Sequence, residues 1–318
     1  MPGERPRIIL DCDPGHDDLV AVIVAAAHTQ LLGITTVAGN APLDRTTHNA
    51  CLARDWFQLA TTVHSGAARP LVVAPKFGAF VHGASGLDGA DLPEPDRGPD
   101  STDAVTFIIE TARAHPGLTL VPTGPLTNIA LALRADPSLA GHLAGISLMG
   151  GGTYGNRTPA AEFNIWADPD AAAIVFSSGV PLTMAGLDVT HQFVLVPERI
   201  AQVAGLPGHL AAVLADLFRY FADNYISRHE HLLGAPLHDP LAVLAVTHPA
   251  LFERAAHHVV VETHGEHTAG MTVIDRRRMH DREPHNCDVL MRVDADAAWQ
   301  VVLAAITELS ATTERAAR

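Results

Sequence analysis

The sequence holds only three cysteines, Cys12, Cys51 and Cys287, in 318 residues. They are too few for a disulfide framework and too scattered for a zinc ribbon, so reduced thiols in a cytoplasmic protein are expected. Long apolar runs are missing too. The longest, residues 19–27, is nine residues, far short of the roughly 20 that a membrane span needs. No signal peptide is read at the start, because the apolar segment after Arg5 and Arg7 is interrupted by Asp11 and Asp13. Basic residues are scarce: 21 Lys and Arg face 35 Asp and Glu, a formal charge of −14. A nucleic-acid partner is therefore not expected, since such binders need a basic face. The one basic stretch, "DRRRMHDR" at 275–282, is interleaved with acids and reads as a solvated loop. There is no linker and no internal repeat, so a single domain over 1–318 is expected.

What is present is ordinary globular composition, 47% hydrophobic and 18% charged, with ample apolar material for a core. Short β-rich runs alternate with helical patterns. "RIILDC", "LLGITTVA", "LTLVP", "GISLMG" and "PLTMAG" read as strands. Between them lie helical patterns such as "DDLVAVIVAAAH", "LDRTTHNACLARDWFQLA" and "DAVTFIIETARAH". Apolar runs without polar alternation, separated by helices, predict an α/β fold: an open, mostly parallel sheet with helices on both faces. A long helix is predicted over 208–233, then closely spaced strands at "HHVVVET", "GMTVIDR" and "NCDVLMRVD", and a final helix from about Ala295. The Pro/Gly/Asp-rich segment 84–100 reads as a long functional or mobile loop. In open parallel sheets ligands sit beyond the carboxyl ends of the strands. Polar, Gly-rich segments fall there four times: "DCDPGHDD", Gly39-Asn40, "PTGPLTN" and "MGGGTYGN". They predict one site.

The first of these carries Asp11, Asp13, Asp17 and Asp18 behind an apolar strand. Like charges so close are costly unless a cation or hydrogen-bond donors neutralise them. Helix capping accounts for one or two carboxylates, not four. Clustered hard oxygens suit Ca²⁺ or Mg²⁺. An EF-hand starting at Asp11 fails, because His16 and Val22 stand where Gly and Glu are required. On this stretch alone a phosphatase with Asp11 as nucleophile and Asp13 as acid stays open.

Gly150, Gly152 and Gly155 have dinucleotide-loop spacing, with Asp170 downstream. No helix pattern opens after Gly155, so that match is discounted. Histidines number 19. "HEH" at 229–231 and "HGEH" at 264–267 read as surface or interface histidines, having no third zinc ligand at helical spacing. In "HDP", His238-Asp239-Pro240, the aspartate stands before a helical pattern, where an N-cap and a functional role are equally open.

Together these residues resemble the inosine-uridine nucleoside hydrolase family. "DCDPGHDD" fits its DxDPGxDD signature, and "TTVAGN", "VPTGPLTN", "LMGGG", "AEFN" and "HDP" follow in the family's order, from about Arg7 to the final helix. The resemblance outweighs the phosphatase and dehydrogenase readings. It implies Ca²⁺ held by Asp13, Asp18, the carbonyl of Thr123 and Asp239, with a water and the ribose 2′- and 3′-hydroxyls. It further implies Asp17 on a ribose hydroxyl, Asp11 as support, and Asn40, Met149, Asn156, Glu162 and Asn164 around the sugar. His82 and Phe163 would lie near the base. Asp13 would take a proton from water, and His238 would protonate the leaving base. The implied activity is hydrolysis of ribonucleosides to ribose and free base, by a homodimer or homotetramer. A non-catalytic calcium-dependent sugar-binding protein is the rival, and it would need neither Asp13 nor His238. Gly234 and Pro236 depart from the smooth helical approach expected before His238.

Overall fold

In the computed structural model, residues 5–227, 233–277 and 283–316 are described. Twelve strands form, in chain order: β1 Arg7–Cys12, β2 Gln30–Thr36, β3 Val63–Ser65, β4 Leu118–Pro122, β5 Leu143–Met149, β6 Leu182–Ala185, β7 Val194–Leu195, β8 Ala235–Pro236, β9 Phe252–His257, β10 Val259–Val261, β11 Thr272–Ile274 and β12 Cys287–Val293. Eight of them make one sheet in the order β3-β2-β1-β4-β5-β6-β12-β9. All neighbours in it are parallel except β12 and β9.

The apolar run of β1 explains its central place. Ile8 and Leu10 point into one core with the helices His16–His28, His209–Ile226, Pro240–Thr247 and Ala295–Ala316. Ile9 points into the other, with the helices Ala104–Ala114, Thr127–Ala135 and Pro169–Phe176. Side chains alternate along a strand, and a strand covered on both faces needs apolar residues at every step. Burying one such side chain stabilises the fold by about 1.5–3 kcal/mol.

Chain order reverses between β1 and β4, where β2 and β3 lie to one side and β5 and β6 to the other. Such a switch point opens a crevice at the carboxyl ends of the strands. Asp13 follows β1 and Thr123 follows β4, so the crevice is walled by these two turns.

The C-terminal third carries the expected strands and final helix, and one strand more. "FERAAH" is β9, the antiparallel edge strand against β12. "HHVVVET" contributes only β10, which pairs with β11 in a separate two-stranded ribbon. The helix expected over 208–233 runs from His209 to Ile226. "HEH" at 229–231 lies outside the described residues, as does "DRRRMHDR" beyond Arg277. The segment 84–100 contains no helix or strand, and its end is fastened by the buried Arg54, which donates to the carbonyls of Arg97 and Gly98. The departure before His238 has a physical reason. Ala235 and Pro236 pair with Val194 and Leu195, and a Cβ on Gly234 would collide with the Leu195 carbonyl oxygen.

Candidate active site

The four polar segments meet over β1 and β4. Asp18 caps the His16–His28 helix: its Oδ2 accepts from the Gly15 amide at 2.9 Å, and its Oδ1 accepts from the Thr123 hydroxyl at 2.9 Å. Capping therefore uses Asp18 and leaves Asp17 to face the crevice. Asp239 resolves in the same way. The helix begins at Pro240, yet the Asp239 side chain makes no capping hydrogen bond. Asp17, Asp18 and Asp239 each place a carboxylate oxygen within 4.8 Å of the others, and all three are buried.

Asp13 sits beside this trio, wedged between two glycines. A Cβ at Gly39 would collide with its Oδ2, and one at Gly124 would lie 2.5 Å from its Oδ1. Only glycine allows the backbone so close. Oδ2 accepts from the Asn40 amide at 2.6 Å, while Oδ1 is buried with no hydrogen-bond partner among the described residues. The Asn40 side chain ties the two acidic segments together, donating to the Asp13 carbonyl at 3.1 Å and to Asp18 Oδ2 at 3.2 Å. Asp11 lies deeper. It accepts from Thr35 and from Asn128 at 2.8 Å, and it is fully buried. That seclusion removes it as a nucleophile.

Electrostatics follow from burial. Desolvation raises Asp11 to about 7 and Asp17 to about 8, and pushes Asp13 and Asp239 well above the carboxylate range, with neighbouring aspartates adding to the effect on the last three. Asp18 is raised by the same burial. Among the described residues, none of these carboxylates pairs with a lysine or arginine. Clustered buried carboxylates without a basic partner, two of their oxygens (Asp11 Oδ2 and Asp13 Oδ1) buried without a hydrogen bond among the described residues, are the donor set a hard divalent cation fits.

Above this floor opens a cleft. Asp17, Asn40, Thr123 and Asp239 line its base, and Met149, Asn156, Glu162, Phe163 and Asn164 line one wall. Glu162 is locked by its own segment, accepting from the amides of Asn164, Gly151 and Ile165 at 2.9, 3.0 and 3.2 Å. Desolvation still lifts it to about 7. Asn164 donates to the carbonyls of Thr123 and Met149, joining the ends of β4 and β5. Asn156 accepts from the Phe163 amide at 3.0 Å. The opposite wall is aromatic and imidazole-rich, with His82, Phe221, Tyr225 and His238.

Several residues in and behind this wall carry no role legible from the sequence. His16 is buried, stacks on His82 and Phe221, and lies 3.1 Å from His82 through the Nδ1 atoms. Burial lowers His82 well below the ordinary imidazole value. Tyr225 shares the wall with His238, their ring centres 6.3 Å apart. Thr190, from the short helix after β6, meets His238 Nδ1 at 2.8 Å. The apolar face of the His209–Ile226 helix, legible as periodicity, was the available signal for Phe221 and Tyr225.

A model of the inosine-uridine preferring nucleoside hydrolase family matches residues 8–300. The chain belongs to this family. It is 45% identical over 295 residues to the pyrimidine-specific ribonucleoside hydrolase RihA of Shewanella sp. (strain MR-4), covering 91% of this chain and 92% of that one. RihA of Photobacterium profundum is 44% identical over 300 residues, covering 91% and 94%. Among solved structures, the purine-preferring ribonucleoside hydrolase from Gardnerella vaginalis superposes with a TM-score of 0.90 at 34% identity, over 96% of this chain and 99% of that one. The nucleoside hydrolase is thus a hydrolase of the N-glycosyl bonds of nucleosides on an open, mostly parallel α/β sheet. None of its described helices is long and apolar enough to cross a membrane.

Proposed function

We propose that this nucleoside hydrolase is calcium-dependent and cleaves ribonucleosides, with pyrimidine ribonucleosides preferred. The observation that carries the cation is the orphaned, buried Oδ1 of Asp13 beside the Asp17, Asp18 and Asp239 carboxylates. Similarity to the RihA proteins supports the base preference. Asp13, Asp18, Asp239 and the Thr123 carbonyl would hold the ion, whose charge, when bound, acidifies water and anchors vicinal hydroxyls.

The chain's own residues do the rest. Asp17 binds a ribose hydroxyl, and Asn40, Met149, Asn156, Glu162 and Asn164 position the sugar. The carboxylates stabilise the oxocarbenium-like charge that grows on the ribose. Asp13 accepts the proton of the attacking water. His238 gives a proton to the departing base, which His82 and Phe163 flank. Release of ribose from uridine, cytidine and inosine tests the reading, and a failure to cleave any of them ends it. His238→Ala is expected to lose roughly 10²-fold on uridine and little on p-nitrophenyl riboside, whose phenolate needs no proton. Equal losses on both would remove His238 as the acid.

Linkage gives an independent check on the cation. Without it, folded Asp11 and Asp17 hold protons up to about pH 7 and about pH 8, whereas unfolded aspartates release theirs near 4. The folded state then binds more protons at these two groups, so their contribution to the stability of chelator-treated protein is full below about pH 4 and is lost as the pH rises through about 8. The charge of a calcium ion beside these groups would favour their ionised forms, so its stabilisation should grow over the same window, reaching about 2.7 kcal/mol at a hundredfold excess over Kd. Melting curves with calcium or chelator decide this. A calcium shift that is absent, or flat with pH, would count against the site.

A further inference from the structure

We propose that Thr190 is a positioning residue for His238, holding its Nδ1 so that the protonated Nε2 edge faces the cleft. The inference rests on the reading of His238 as the leaving-group acid. Thr190 is fully buried and ends the short helix Leu187–Thr190. That helix is anchored at its start, where the Leu187 amide donates to the Gly151 carbonyl at 2.8 Å. Thr190 Oγ1 lies 2.8 Å from His238 Nδ1 and makes no other side-chain hydrogen bond among the described residues. Thr190 is outside the cleft that His238 lines, so Nδ1 is the nitrogen turned away from substrate.

A buried hydroxyl hydrogen without an acceptor is costly, about 1–3 kcal/mol. Its hydrogen therefore goes to Nδ1, and the single proton of the neutral ring resides on Nε2. When the ring is doubly protonated, the same oxygen accepts from Nδ1–H instead, a charge-assisted bond that offsets the loss of the hydroxyl hydrogen's acceptor. A hydroxyl serves both states, so Nε2 carries a proton in each and keeps one aim. The rings of His191 and Tyr225, with centres 5.6 and 6.3 Å from that of His238, pack on its sides.

The test compares Thr190→Val, Thr190→Ser, His238→Ala and the Val/Ala double variant on uridine and p-nitrophenyl riboside. Val keeps the shape and loses the hydroxyl. It should lower kcat on uridine about tenfold or more with KM little changed, and leave the nitrophenyl substrate within about twofold. Ser should restore uridine turnover, and the double variant should be no worse than His238→Ala alone. In ¹⁵N-histidine spectra, the neutral ring lost in His238→Ala should show Nδ1 unprotonated in the wild type. If His238→Ala is selective for uridine but Thr190→Val is harmless, or harms both substrates alike, the positioning role is overturned while the acid reading stands. A neutral ring protonated at Nδ1 also overturns it. If His238→Ala harms both substrates equally, the acid reading falls and this one with it.

Discussion

2′-Deoxyuridine should be cleaved on the order of 10⁴-fold less efficiently than uridine, because sites built to hold a hydroxyl reject its absence by up to about 10⁵. The floor of the cleft is the reason. Asp17 is buried, and burial raises it to about 8, so as a carboxylate it needs hydrogen-bond donors around it. In the proposed reading the ribose 2′- and 3′-hydroxyls supply them and also serve the cation. Removing the 2′-hydroxyl takes a donor from a buried carboxylate and an oxygen from the cation, each a costly loss at a buried position. The discrimination should fall on kcat/KM, and on kcat as well, because these contacts orient the sugar for attack. Hydrolysis rates of the two nucleosides, compared with cytidine and 2′-deoxycytidine, check it. Comparable efficiencies would contradict the proposed ribose geometry, whichever base is preferred.

Much of this site was legible because its carboxylates crowd into one turn. Repulsion among Asp11, Asp13, Asp17 and Asp18 calls for a neutralising partner wherever the chain goes, and the apolar β1 before them predicts a buried strand end. Asp239 was ambiguous, since a residue before Pro at a helix start reads equally as a cap. Only the direction of its side chain separates the two, and direction is tertiary. β3 and β9 were missed for different reasons. "VHS" is three residues, too short for periodicity, and "FERAAH" carries charge and alanine where β propensity would want branched residues. Pairing with β12 makes β9 a strand. Thr190 carries no motif, and its meaning comes from 48 residues of chain separation closing to 2.8 Å. Gly39 and Gly124 stood in quoted motifs, but their role as walls around Asp13 is a matter of distance alone.

Asp13→Asn should collapse turnover by about 10²–10⁴-fold, the range for a general base, with substrate affinity less affected. The local geometry dictates how the amide would sit. The Asn40 amide donates to Oδ2 at 2.6 Å, so an NH₂ group there would set donor against donor. The new side chain must therefore keep its oxygen toward Asn40 and place NH₂ where Oδ1 was. That is the oxygen without a partner, the one available to take a proton. The substitution thus replaces the acceptor with a donor at the reacting position while holding the fold. Asp13→Glu should not rescue, because Gly39 and Gly124 already press on both carboxylate oxygens and an added methylene would overpack the site by about 1–3 kcal/mol. Single-turnover rates on uridine, with bound calcium measured on the same samples, separate a lost base from a lost ion. An Asp13→Asn enzyme that keeps near wild-type turnover would remove Asp13 from the chemistry. One that loses turnover only in proportion to its calcium would make Asp13 a ligand and nothing more.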